Sequence, residues 1–178
     1  MLRPPERIQT QRLLLRIPTL ADAESIFQTY TQDPQVTRYL PWTPHERLEQ
    51  SRQFLEGCVN AWQGETRFPY VMTELGRDQA IGMIELRLDW FIADVGYVLG
   101  RAFWSKGYMT EALRALIDWW KEQPGLYRLW AVCDVDNVGS AHVMEKAGMQ
   151  REGRLRRAIL HPATSPEPRD CYIYSIAK

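Results

Sequence analysis

Apolar positions change their spacing several times along the chain, and each change predicts an element. Arg12–Ile17 (RLLLRI) is a short apolar run closed by Pro18 and reads as a first strand. Leu20, Ala23, Ile26, Phe27 and Tyr30 then fall on one helical face, with Thr19 or Asp22 as the cap and Asp33-Pro34 as the stop. Two prolines make Leu40–Pro44 irregular. Thr43-Pro44 with Glu46 predicts a second helix from about Pro44 to Trp62, carrying Leu48, Phe54, Leu55 and Val59. Phe68–Leu75, Ala80–Leu88 and Asp94–Leu99 are short, rich in β-branched and aromatic residues and joined by turn signals, which predicts an antiparallel meander. Met109, Ala112, Leu113, Leu116, Ile117 and Trp120 form a helical stripe that Pro124-Gly125 ends. A strand over Leu129–Cys133, a helix over Asn137–Ala147 with Gly148 at its left-handed cap, and strands near Met149–Arg157 and Cys171–Ile176 complete the series. The order β-α-α-β-β-β-α-β-α-β-β is an α/β (α+β) arrangement on a mixed sheet.

Composition narrows the function classes. The 178 residues fit one domain, spanning 1–178, with no repeat or linker to divide it. Lys+Arg and Asp+Glu are both 22, so the basic excess of a general nucleic-acid binder is missing. No apolar run approaches the ~18 residues of a membrane span, and the charged N-terminus is unlike a signal peptide. Cys58, Cys133 and Cys171 are far apart, which suits neither a disulfide framework nor a metal site. The expectation is a soluble cytoplasmic domain that needs no metal. Of its seven tryptophans, Trp119, Trp120 and Trp130 read as core or interface packing, and apolar Trp-rich surface is consistent with a homodimer.

Two strand–helix junctions carry candidate chemistry. In Gly96–Ala112 (GYVLGRAFWSKGYMTEA) a strand enters a loop that opens into a helix. The unpaired amides and positive dipole end of such a helix suit a phosphate or pyrophosphate. Lys106 adds a charge, Gly107 permits close approach or positive φ, and Thr110 adds a hydroxyl. Taken alone, the junction reads as a plain turn before it reads as a phosphate site; neither GxxxxGK[ST] nor GxGxxG is present. In the second junction Asn137 sits at an N-cap and Ser140 one turn on, both aimed at the space before the helix. Two successive units point two helix N-termini to the same end of the sheet, where α/β proteins bind ligands.

The chain resembles the GCN5-related N-acetyltransferase (GNAT) superfamily and, within it, the RimJ/RimL-type ribosomal-protein N-terminal alanine acetyltransferases. Gln11–Arg16 is similar to an opening TERLxLR, Trp104–Ala112 to WGKGYATEA, and Asn137–Ser140 with Glu145–Met149 to NxxSxxxxEKxGF; Tyr39–Trp42, Ile81–Ile84 and Val95–Leu99 match in order. The resemblance covers nearly the whole chain. It implies a mostly antiparallel sheet splayed between the fourth and fifth strands and flanked by about four helices, with acetyl-CoA in the splay. Pantetheine would pair with backbone at Val98 and Leu99, pyrophosphate would sit on amides of Ser105, Lys106, Gly107, Tyr108, Met109 and Thr110, and Asn137 and Ser140 would face the sulfur.

The implied reaction is direct attack of a neutral primary amine on the thioester, with Asp94 or Glu85 as base and a backbone N–H near Val98 for the oxyanion. Met144 stands where many relatives carry an acidic tyrosine, which leaves Ser140 as the acid. Met109 replaces a small residue of the pyrophosphate motif, and its effect depends on where its side chain points. Trp42 would line the acceptor pocket, drawn from Asp33–Trp42 and the His161–Arg169 loop. Arg151, Arg154, Arg156 and Arg157 read as a solvated face or as a contact for the 3′-phosphate or an acidic substrate. The acceptor is a protein N-terminal α-amine or a small amine (polyamine, antibiotic, amino-acid-like toxin); a non-catalytic acyl-CoA-binding domain is the reading from another class.

Overall fold

The computed structural model describes residues 2–178. Eight strands form one sheet: β1 (Arg7–Gln9), β2 (Leu13–Arg16), β3 (Arg67–Glu74), β4 (Ala80–Asp89), β5 (Ile92–Leu99), β6 (Arg128–Asp134), β7 (Gln150–Ile159) and β8 (Arg169–Ala177). Their order is β1-β2-β3-β4-β5-β6-β8-β7, and every neighbouring pair is antiparallel except β5 and β6. The helices are α1 (Ala23–Ile26), α2 (Pro34–Thr37), α3 (Leu48–Ala61), α4 (Tyr108–Lys121) and α5 (Val138–Lys146). No helix among the described residues is long and apolar enough to cross a membrane.

Helices cover both sheet faces. On one, α4 and α5 pack Leu113, Leu116, Ile117, Trp120 and Met144 against Leu13, Leu15, Tyr70, Ile84, Val95 and Leu129. All six residues of the α4 stripe are buried, as their spacing requires. On the other, α1 and α3 place Ile26, Tyr30, Leu55 and Cys58 over Val71, Ala80 and Met83. Of the other tryptophans, Trp120 is fully buried and Trp119 and Trp130 are half-buried.

Four local expectations change. A short strand, β1, precedes the first expected one and pairs with β2. The first helix runs from a 3₁₀ turn through α1 into a π turn over Phe27–Thr31, and Leu20 lies exposed outside its buried face. Asp33-Pro34, taken as a stop, instead starts α2: Asp33 accepts the Gln35 N–H and proline takes the first helical position. The second long helix begins at Leu48 rather than Pro44. His45 donates its backbone N–H to the Thr31 carbonyl at 2.8 Å, which holds that stretch extended against the first helix, and Gln50 Oε1 caps the amides of Glu46 and Arg47.

Candidate active site

β5 and β6 run side by side only where Ile92, Ala93 and Asp94 oppose Arg128, Leu129 and Trp130; beyond that they part and leave a V-shaped seam. The Gly100 N–H donates to the Ile81 carbonyl at 2.8 Å. Alternation along the antiparallel β4–β5 ladder then makes Met83 and Val98 a bonded pair and turns the backbone of Tyr97 and Leu99 into the seam. Val98, expected to present its backbone to a ligand, spends it on β4, and its side chain packs on the α1–α3 side. The Leu99 carbonyl is also taken, by the Trp104 indole N–H at 2.7 Å, so among the described residues the groups left free along this edge are the amides of Tyr97 and Leu99 and the Tyr97 carbonyl.

After β5 a single 3₁₀ turn leads to Trp104, and the chain then enters α4 through two left-handed residues, Ser105 (φ 60°) and Gly107 (φ 79°). Gly107 fits there because it lacks the Cβ that penalises this conformation. The first bond into the helix is Glu111 N–H to the Gly107 carbonyl at 3.0 Å. Among the described residues, no protein acceptor takes the amides of Ser105, Lys106, Gly107, Tyr108, Met109 or Thr110. These donors and the positive end of a 14-residue helix meet at the mouth of the seam. Met109 is 3% exposed with its side chain in the core, so its bulk stays out of the loop. Lys106 is exposed, its ammonium 5.3 Å from the centre of the Phe103 ring.

β6 delivers the second helix N-terminus. Asn137 Oδ1 accepts the Ser140 N–H at 3.2 Å, so its oxygen caps α5 rather than facing outward. The Ser140 hydroxyl lies 2.8 Å from the Tyr97 hydroxyl, which also reaches the Ser140 carbonyl at 3.2 Å. Tyr97 had no place among the sequence candidates; its polar tip on a core-facing strand position was the available signal. Burial pushes its phenol above the ordinary tyrosine range, and the phenol stays protonated. Burial likewise lifts the Cys133 thiol to about 12, far from a thiolate.

The two candidate bases share the opposite face with two arginines. Arg67 donates to Glu85 at 2.6 Å, and Arg87 bonds Asp94 at 2.7 Å and approaches Glu85 to 3.5 Å. Arg87 lies against Gly96, where a Cβ would fall 3.2 Å from the guanidinium. Asp94 sits opposite Trp130, in the closed part of the seam, whereas Glu85 lies one strand back on β4, level with Gly96, where β5 and β6 have parted.

The expected acceptor loops do meet. Thr164 donates its hydroxyl to the Arg38 carbonyl, and Tyr39 stands edge-on to His161 with ring centres 5.9 Å apart. Beneath them the fully buried Asp134 receives Arg169 at 2.6 and 3.1 Å and the Asp136 N–H at 2.9 Å. Trp42 packs with His45 and Phe54, centres 5.0 and 6.1 Å away, beside the cluster that Val98 joins. His142 is exposed, and the β7 arginines face solvent, Arg154 and Arg157 paired with Asp170 and Glu167.

Residues 12–150 match the family model of the acetyltransferase (GNAT) domain. An uncharacterised N-acetyltransferase of Bacillus licheniformis, p20, is 31% identical over 97% of both chains. The [ribosomal protein uS5]-alanine N-acetyltransferase of Escherichia coli is 23% identical over 88% of this chain and 84% of its own. Among solved structures, the microcin C7 self-immunity acetyltransferase MccE, in complex with acetyl-CoA and AMP, superposes with a TM-score of 0.87 at 24% identity, covering 98% of each chain.

Proposed function

The chain belongs to the GNAT family and is an N-acetyltransferase, and from that premise we propose that it carries acetyl from acetyl-CoA in the β5–β6 seam directly to a primary amine, the N-terminal α-amine of a protein or peptide. The row of unpaired amides from Ser105 to Thr110 beside an open strand edge carries the cofactor half of this reading. Pantetheine lies along Tyr97 and Leu99, and the pyrophosphate rests on the amide row. A neighbouring groove of about 580 Å³, lined in part by Gly107, Thr110, Arg114 and Lys146, leaves room for the nucleotide.

In the reaction the amine nitrogen attacks the thioester carbon, an amide of the seam edge (Tyr97 or Leu99) takes the developing oxyanion, and the carbon–sulfur bond breaks. Glu85 relieves the incoming ammonium of its proton, directly or through water, because it lies level with the open part of the seam across Gly96, which has no side chain; Asp94 holds Arg87 beside it. The leaving thiolate takes its proton from Ser140, which regains one from the former amine nitrogen as that nitrogen sheds its extra proton to become the product amide. Tyr97, a neutral phenol throughout, can donate to Ser140 Oγ and so leave the serine proton free for the sulfur. A buried, protonated Cys133 offers no nucleophile for a covalent route.

The acceptor is assigned from the kinship with the uS5-alanine enzyme, and its place from the meeting of the 33–42 and 161–169 segments, where Thr164 donates to the Arg38 carbonyl. MccE favours a second reading, a small-molecule amine. Release of free CoA thiol, measured with lysine-free peptides bearing a free α-amine, the same peptides blocked, and small amines such as polyamines, separates them. Saturable turnover with the free peptides alone is expected. Turnover confined to small amines overturns the peptide assignment, and CoA binding without turnover of any amine favours a non-catalytic acyl-CoA-binding domain.

A further inference from the structure

Arg12 lies at the turn between β1 and β2, in the opening QRLLLR motif, far in sequence from the chemistry. Its backbone is anchored on the sheet, since its carbonyl accepts the Leu75 N–H at 2.9 Å and its own N–H donates to Glu111 Oε1 at 2.8 Å. From there the side chain reaches the loop before α4. Nε donates to Glu111 Oε2 at 2.7 Å, Nη1 donates to the Lys106 carbonyl at 2.9 Å, and the guanidinium stacks on Tyr108, 4.6 Å from its ring centre. Thr10 completes the cluster by donating its hydroxyl to Glu111 at 2.6 Å.

Two consequences bear on the amide row. In a trans peptide the carbonyl and the next N–H point in opposite directions. A guanidinium that holds the Lys106 carbonyl on one side therefore fixes the Gly107 N–H on the other, pointing away from Arg12 and left without a protein acceptor among the described residues. Second, Glu111 sits in the first turn of α4, within a turn of the place an anion would occupy. Burial opposes its ionisation, but the hydrogen bonds from Thr10 and Arg12 and the Arg12 charge outweigh that and hold its carboxyl below the ordinary range. Glu111 is thus an anion at neutral pH, and Arg12 is the cation that neutralises it.

We infer that Arg12 is a positioning residue for the phosphate loop: it aims the Gly107 amide and cancels the Glu111 charge, so that affinity for the pyrophosphate depends on the β1–β2 turn. This rests on the reading of the amide row as the pyrophosphate site. A planar, forked cation is needed to hold a carboxylate and a carbonyl together, which a lysine ammonium does less well.

The test is calorimetric titration of the full chain with CoA and with pantetheine, which lacks the pyrophosphate, for wild type, Arg12→Gln and Arg12→Lys, each first checked for the native circular dichroism spectrum. Arg12→Gln is expected to weaken CoA about ten- to thirtyfold and pantetheine less than about twofold, with Arg12→Lys between it and wild type. An equal loss for both ligands makes Arg12 merely structural and overturns the inference, as does unchanged CoA affinity in Arg12→Gln. Wild type that binds CoA no tighter than pantetheine overturns the pyrophosphate reading itself, and the inference with it. If Arg12→Gln does not fold, Arg12→Lys decides by the same comparison of ligands.

Discussion

The contact between Tyr97 and Ser140 joins a strand residue to a helix residue 43 positions later, at 2.8 Å, across the seam where the acetyl group is proposed to react. If Tyr97 serves Ser140, the two must act as a unit. Ser140→Ala is expected to lower kcat about a hundredfold, in the usual range for a lost general acid, and Tyr97→Phe about tenfold. In the Ser140→Ala background Tyr97→Phe should then have no further effect, because its partner is gone. Additive losses in kcat would show that Tyr97 acts on packing alone. Part of this pair was legible in the sequence. Asn137 and Ser140 stand at cap spacing, and a cap is a local property of four residues. For Tyr97 the polar tip on a core-facing strand position was legible but its partner was not, because that depends on how far β5 stands from α5. Met109 illustrates the converse: a departure from motif that the helical stripe already resolves, since the same spacing that buries Leu113 and Leu116 turns its side chain inward.

At the scale of elements, the loops that close the acceptor side depend on Asp134, the last residue of β6. Its carboxylate is buried, and although burial resists its ionisation, the hydrogen bonds from Arg169 and Asp136 and the Arg169 charge bring its pKa below the ordinary 3.8. A carboxyl lowered by folding contributes stability that is complete above its unfolded value and is lost as pH falls through the lower folded one. Acid unfolding below about pH 4 should therefore draw on this group. Asp134→Asn is expected to cost roughly 3–5 kcal/mol at pH 7, with the gap to wild type narrowing towards pH 2–3, measured by urea melts across that range. A gap independent of pH would mean the carboxylate charge contributes nothing. Burial lowers the His161 pKa, so its ring is neutral at pH 7 and adds no compensating charge. Element boundaries were the least legible feature for a related reason. Pro44 is a strong local start signal, yet a hydrogen bond from His45 to Thr31, 14 residues back, overrides it. The π turn at Phe27–Thr31 is similarly invisible to a helical period that Ala23, Ile26 and Tyr30 satisfy.

Across the whole molecule, the alternation of strands and helices sufficed for the architecture: the meander β3–β4–β5, then α4, the parallel neighbour β6 and α5 come in the expected order. The residue spacing by itself does not encode that β5 and β6 separate after three pairs; that came from resemblance. Nor does it tell which strand residues bond inward, so Val98 was assigned to an edge that belongs to Tyr97 and Leu99. The proposed chemistry requires CoA to lie in that seam with its pyrophosphate on the start of α4. The most direct test is to follow the backbone amide resonances of the isotope-labelled chain during titration with CoA. The largest shifts are predicted at Gly107, Tyr108, Met109 and Thr110, with a second group at Tyr97 and Leu99, and pantetheine should reproduce the second group only. Saturation by CoA with those amides unmoved, or with the shifts clustered elsewhere on the sheet, would contradict it.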